Sequence, residues 1–245
     1  MQQVLQIRAG RGNSGGTTAL NAFIELALMA GREPVILDAA RNPSLSAFYP
    51  TLAVRPDSHQ IGDVKEAVTT KILDVMLESK RNGVIDLGGG QDDTLVDYAL
   101  DLDLVAFGRS MGIQIVFVVS FGPQMDDFDH VLEIKQRGLF DGAGVLLVRN
   151  EGVLRRGQDP GKVFGEIQQR PEFTDWIREG ARPLYLPTLA CLDDVRRLKL
   201  PLRDAAANKL VDGKGIGLTK AWMVKGWLEG WRQCCVENDC GEWMV

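Results

Sequence analysis

A short apolar strand that runs into glycines and then into a helix constrains this chain more than any other stretch. It reads Val4-Leu5-Gln6-Ile7-Arg8-Ala9-Gly10-Arg11-Gly12-Asn13-Ser14-Gly15-Gly16-Thr17-Thr18. A phosphate-binding loop has Gly, four residues, Gly, Lys and then Ser or Thr. Gly10, Gly15 and Thr17 hold their places in that pattern, and Gly16 stands where the lysine belongs. Glycines let backbone N–H groups converge on an anion, and a helix beginning at Thr17 adds the positive end of its dipole. The Thr17 hydroxyl is placed to ligate Mg²⁺ between terminal phosphates. The cradle is complete except for its ammonium. The same residues also fit an ordinary strand-to-helix turn in which the glycines serve packing alone.

Leu20, Phe23, Ile24, Ala27 and Leu28 then recur at helical spacing, and Gly31 ends the helix. A second strand, Pro34 to Asp38, follows at once. A third, from Gly83, ends in Asp86 and runs into Gly88-Gly89-Gly90. An Asp at the carboxyl end of a central strand, with Gly close behind, suits a Walker B element or switch. The carboxylate holds the metal's water, and the flexible backbone approaches a γ-phosphate. Asp after a strand also serves as a helix N-cap or turn former. Apolar runs at Ile113 to Val119 and Gly144 to Val148 read as parallel strands covered on both faces. Helical patterns separate them at Val64 to Arg81, Thr94 to Met111 and Asp126 to Arg137. This alternation predicts an α/β fold, a doubly wound, mostly parallel sheet of about seven strands flanked by helices. The sheet is expected within residues 1 to about 190 of a single P-loop-type domain, with a helical extension from about 191 to 245.

Over these residues the chain resembles the ParA/MinD family of deviant P-loop ATPases. The family signature Lys-Gly-Gly-Val-Gly-Lys-Thr-Thr lies over Arg11-Gly12-Asn13-Ser14-Gly15-Gly16-Thr17-Thr18, and the likeness continues through Ala30 to Asp38 and through Asp86. The resemblance implies ATP or ADP on Gly12, Asn13, Ser14, Gly15, Gly16, Thr17 and Thr18. It implies Mg²⁺ on Thr17 and, through water, on Asp38 and Asp86. Arg11 takes the signature-lysine position, which in the family reaches across a nucleotide-sandwiched dimer, so Arg11, Asp38 and Asp86 become the catalytic candidates. Asn150 and Pro187 fall where the family contacts adenine, although Asn and Pro after strands are also ordinary turn residues. Two positions depart from the pattern. Gly16 replaces the P-loop lysine, and Ala40 replaces the second Asp of Asp-x-Asp, which in the family orients the attacking water. The resemblance therefore implies a homodimeric nucleotide switch with very slow or absent hydrolysis, acting in plasmid partition or conjugative transfer with DNA or a DNA-bound partner protein. The alternative is a pseudo-ATPase scaffold that no longer binds nucleotide productively. A dethiobiotin-synthetase-like ligase shares the fold but also relies on the P-loop lysine. If the loop keeps its geometry, Gly16→Lys restores a phosphate contact; if the loop has tightened, the lysine clashes.

A net charge of −5 in 245 residues argues against a generic nucleic-acid binder. Local basic candidates are Arg149, Arg155 and Arg156, then Arg196, Arg197, Lys199 and Arg203, then Lys209, Lys214, Lys220 and Lys225. Charge runs of this density are commonly solvated helix faces. No apolar run is long enough to span a bilayer, and no basic-then-apolar leader opens the chain, so a cytoplasmic location is expected. Cys191, Cys234, Cys235 and Cys240 do not form a secreted disulfide framework and have no neighbouring histidine for a metal. His59 and His130 lie apart and are expected at solvated or helix-terminal positions. From Thr219 to Gln233, Val224, Trp227, Leu228 and Trp231 share one helix face. Docking of that face on the sheet or a partner is expected over binding to an anionic membrane, because Glu229 and the acidic Glu237-to-Glu242 tail oppose anionic lipid. Gly152 to Gly180 reads as an inserted loop with one or two short helices, carrying Phe173 and Trp176, and as a surface for partner specificity.

Overall fold

The computed structural model describes residues 2–155 and 157–245, so Arg156 of the basic candidates lies outside the described residues. Seven strands form one sheet: β1 (Gln3–Ala9), β2 (Val35–Asp38), β3 (Ala53–Val54), β4 (Gly83–Asp86), β5 (Ile113–Phe121), β6 (Gly144–Asn150) and β7 (Arg182–Leu186). Their order is β3-β2-β4-β1-β5-β6-β7, and every pairing is parallel. The chain leaves β1 toward one edge and returns through β5 toward the other. The crevice above the carboxyl end of β1 is therefore the switch point where α/β sheets bind ligands.

Helices cover both faces. In chain order they are α1 (Gly16–Met29), α2 (Leu45–Phe48), α3 (Ile61–Ala67), α4 (Asp74–Ser79), α5 (Asp92–Leu102), α6 (Leu104–Met111), α7 (Met125–Gln136), α8 (Pro160–Gln168), α9 (Pro171–Arg178), α10 (Leu192–Arg197), α11 (Leu202–Ala206) and α12 (Leu218–Glu237). A π-helical turn, Val68–Leu73, joins α3 to α4. The sequence pattern from Thr94 to Met111 is one helix by periodicity, but Asp103 adopts φ 49° and divides it into α5 and α6. The Asp103 carboxylate accepts the Ala106 N–H at 3.4 Å and restarts the helix.

Alternation along β1 sends Leu5, Ile7 and Ala9 into one core and Val4 into the other. The first core takes α3 to α9. Phe173 and Trp176, which read as part of a surface insertion, are buried there against Phe128 and Phe140. The second core takes α1, α11 and α12. Val224, Trp227, Leu228 and Trp231 turn inward as the docking expectation required, and Trp231 meets Phe23 edge-on with ring centroids 5.1 Å apart. Leu218 and Trp222 remain exposed on the outer side of α12. Among the described residues no helix is long and apolar enough to cross a membrane.

A buried carboxylate ties the C-terminal helices to α1. Glu25 accepts the N–H groups of Leu202 and Arg203, each at 3.0 Å, and the Tyr49 hydroxyl. Burial raises the Glu25 pKa, against the opposing pull of those hydrogen bonds. Replacing Glu25 by Ala leaves the N–H groups of Leu202 and Arg203 without their acceptor, while the Tyr49 hydroxyl keeps Asn21 Oδ1. Glu25→Ala is expected to lower the unfolding free energy by about 3 kcal/mol in a denaturant titration, with Glu25→Gln losing less because one acceptor remains.

Candidate functional site

The glycine loop sits at the carboxyl end of β1. Gly10 has φ 111° and its N–H is held by Asp92 Oδ1 at 3.1 Å. Asn13 and Gly15 both take positive φ, and the chain enters α1 at Gly16. The Ser14 hydroxyl donates to the Arg11 carbonyl at 2.8 Å and shares a 2.8 Å hydrogen bond with Ser120. The first N–H groups of α1 have no carbonyl one turn before them. They open on a cleft of about 520 Å³, lined by Gly12, Asn13, Gly15, Gly16, Thr17 and Thr18, with Ala40 and Arg41 after β2 and Gly88 and Gly89 after β4. Asn150 and Pro187 line the same cleft, as do Leu186, Leu189 and Trp227 on its apolar side. Its size and mixed lining suit a small ligand.

Beneath the loop is an ion pair that the loop motif did not reveal. Arg8, on β1, donates from Nη1 to Asp86 Oδ1 at 3.1 Å, and the two side chains are 6% and 0% exposed. The same nitrogen lies 3.4 Å from Thr17 Oγ1, and Nη2 donates to the Arg11 carbonyl at 3.2 Å. Thr17 in turn donates its hydroxyl to Asp86 Oδ2 at 2.6 Å, and the Gly88 N–H reaches Asp86 Oδ1 at 3.0 Å. A Cβ on Gly16 would lie 2.3 Å from Arg8 Nε and 2.6 Å from Cδ. The space beside Gly16 is thus already filled by a cationic side chain. The available sequence signal was Arg8 itself, the one charged residue in a largely apolar strand.

Asp38 lies opposite Asp86 in the β2–β4 register. Its Oδ2 accepts the Ser46 N–H at 2.8 Å, while Oδ1 is buried without a partner. Burial, reinforced by the Asp86 carboxylate, pushes the Asp38 carboxyl above the usual carboxylate range. An orphaned carboxylate oxygen near Asp86, with the Thr17 hydroxyl facing the cleft, fits a hard cation that keeps its waters and arrives with phosphates. No group of three or more His, Cys, Asp or Glu among the described residues is set to hold a metal without such help.

Asn150 turns its amide onto the loop: Nδ2 donates to the Ser14 carbonyl at 2.9 Å, and Oδ1 accepts the Gly152 N–H at 2.9 Å. A Cβ on Gly15 would meet that Nδ2 at 1.7 Å. The Pro187 carbonyl accepts from Trp227 Nε1 at 2.8 Å. Arg11 is exposed and borders a second cleft with Asp127 and Arg155, rather than pointing into the first. Arg196, considered above only for its charge, donates to Thr18 Oγ1 at 3.2 Å from α10 and lines the main cleft. His130 is not simply solvated: its Nε2 is 3.0 Å from Asp92 Oδ2, on the carboxylate that holds Gly10. Arg149 is half-buried above the Tyr185 ring, and burial lowers its pKa, so it is not part of an open basic face.

The raised Asp38 pKa carries a sign for stability. The folded state holds this proton more tightly than the unfolded chain does, so the group favours folding at low pH and that contribution is lost as pH rises through the folded value. Asp38→Asn stays neutral throughout. It is expected to melt about 2–4 °C above the parent near pH 7, with the gap closing as pH falls into the carboxylate range, in parallel thermal melts.

No family model matches the sequence, and no curated protein matches it. Among solved structures, the MinD cell division protein of Aquifex aeolicus is similar at 15% identity and a TM-score of 0.50, over 91% of this chain and 97% of that chain. Apo McdA of Cyanothece is similar at 13% identity and a TM-score of 0.48, over 92% and 99%. A putative plasmid partition protein from Borrelia burgdorferi B31 bound to AMPPNP is similar at 11% identity and a TM-score of 0.45, over 93% and 98%. The MinD likeness reaches nearly the whole of both chains and agrees with the strand–glycine loop–helix at Val4 to Thr18, so the chain has the ParA/MinD-type P-loop fold.

Proposed function

We propose that this chain is a nucleotide-binding switch in which the residues from Gly12 to Thr18 cradle the phosphates of ATP or ADP. The observation that carries the reading is the convergence in one cleft of a positive-φ glycine loop, the start of α1, and the Thr17–Asp86 pair. Leu186, Pro187 and Leu189 offer the apolar wall on which an adenine would lie, with Asn150 at its edge. Thr17 would hold Mg²⁺ directly, and Asp38 and Asp86 would hold it through water. The metal supplies charge neutralisation between the terminal phosphates.

Hydrolysis in this reading is very slow. Ala40 borders the cleft and has no carboxylate to orient a water, and Gly16 has no ammonium to follow charge onto the departing phosphate. Groups realised mainly in the transition state account for orders of magnitude in rate. The Gly88-Gly89 segment is the natural responsive element. A Cβ on Gly89 would lie 2.2 Å from Gly12 Cα, so the segment after β4 already touches the phosphate loop and would feel what the loop binds. Arg11, exposed beside the loop, is the residue assigned in this reading to reach across a homodimer. Arg196, Arg197, Lys209 and Lys220 are each paired with an Asp and so are not a row of free cations, and the partner in this reading is DNA or a DNA-bound protein.

The test is a calorimetric titration with ATP and Mg²⁺ beside single-turnover hydrolysis. Saturable binding is expected, with turnover at least about a thousandfold below about 1 s⁻¹. Turnover in the ordinary enzyme range, lost in Asp38→Ala or Asp86→Ala, would overturn the slow-hydrolysis assignment. Absence of any ATP binding would leave the scaffold reading in its place.

A further inference from the structure

We propose that Arg8 is the phosphate-binding cation of this site, carried on β1 in the space beside the helix start that a loop lysine would occupy, and that Gly16 is glycine to admit it. The inference rests on the nucleotide reading above and names the residue that makes the cradle work without its lysine.

The steric half of the argument is direct. Any side chain at position 16 begins with a Cβ, and that atom would lie 2.3, 2.6 and 2.9 Å from Arg8 Nε, Cδ and Cγ. Non-bonded carbon and nitrogen atoms do not approach that closely, so position 16 and the Arg8 stem compete for one volume. Gly16 lacks positive φ, so its backbone does not itself call for glycine. The close approach of Arg8 does.

The chemical half concerns donors. A guanidinium carries five N–H groups. Nη1 is engaged by Asp86 and, more loosely, Thr17, and Nη2 has one bond to the Arg11 carbonyl. Nε is buried with no partner among the described residues, and the side chain borders the cleft while 94% shielded from solvent overall. A buried, charged, incompletely satisfied guanidinium beneath an anion cradle is poorly explained as a brace for Asp86 alone. Arginine suits the position better than lysine would. It stays protonated when desolvated, and its planar fork serves a carboxylate on one side and phosphate oxygens on the other. The ligand class is the terminal phosphates of a nucleoside triphosphate.

The experiment titrates ATP with Mg²⁺ into the parent, Arg8→Gln, Gly16→Lys and the double variant Arg8→Ala/Gly16→Lys, in which the stem beyond Cβ at position 8 is gone, with a thermal melt of each. Arg8→Gln is expected to weaken ATP about tenfold or more. Gly16→Lys alone is expected to weaken ATP and lower the melting temperature, because its stem displaces Arg8. The double variant, with the cation returned to the helix, recovers affinity to within about threefold of the parent. Gly16→Ala secures the test should Arg8→Gln not fold: one methyl group beneath the guanidinium is expected to weaken ATP several-fold, and parental affinity there overturns the inference. Undiminished binding by Arg8→Gln, or tighter binding by Gly16→Lys with Arg8 in place, overturns it and leaves nucleotide binding standing. Binding by the double variant alone would make Arg8 a plug, which also overturns it. Failure of every protein to bind ATP overturns the nucleotide reading and the inference with it.

Discussion

The buried pair between Arg8 and Asp86 is the interaction on which the rest of the site depends. It joins the two central strands β1 and β4 across their carboxyl ends, and both side chains are almost wholly removed from water. Such a pair is costly to desolvate and is retained only with good geometry and further hydrogen bonds. Those are present. Asp86 also takes the Thr17 hydroxyl and the Gly88 N–H, so one carboxylate ties strand, phosphate loop, helix start and the segment after β4 into a single network. Loss of either charge would leave its partner buried and alone, which is why the network holds its shape as a unit.

The topology explains why this network lies where a ligand can reach it. With β1 in the middle of the order β3-β2-β4-β1-β5-β6-β7, the connections on its two sides diverge, and the gap between them is open above the strand ends. The walls of the cleft are strand-exit loops and helix ends, held to one another by hydrogen bonds between residues of different elements. Asn150 bonds to Ser14, Asp92 to Gly10, and Trp227 to Pro187. The C-terminal helix contributes to this wall through the same face that packs Trp231 on Phe23. The extension beyond β7 thereby becomes part of the site's architecture as well as of the core.

Much of this was legible in the residues. Continuous apolar runs announced the parallel strands because both faces of such strands are covered, and the glycine spacing placed the loop between β1 and α1. The helix face of Val224, Trp227, Leu228 and Trp231 announced its own burial. The residues that escaped did so for physical reasons. Motif spacing records neighbours along the chain, whereas Arg8 meets Gly16 through space, and Arg196 reaches Thr18 from a helix 178 positions away. Periodicity could not see the break at Asp103, because a left-handed residue interrupts the backbone without interrupting the apolar pattern. Phe173 and Trp176 looked like surface elaboration because the polar, proline-containing stretch around them masks two short helices that each bury only two residues, Phe164 and Ile167 on α8 and Phe173 and Trp176 on α9.

Charge balance in the site leads to a last point about specificity. Two buried carboxylates, Asp38 and Asp86, face one buried guanidinium, so the site has a deficit of one positive charge unless Asp38 holds a proton. Burial, with a smaller push from the Asp86 carboxylate, raises the Asp38 pKa in the free protein. In the proposed reading, a ligand that brings only negative charge would deepen the deficit, whereas a phosphate chain that brings a divalent cation would supply positive charge near Asp38 while its oxygens would meet Arg8 and the loop N–H groups.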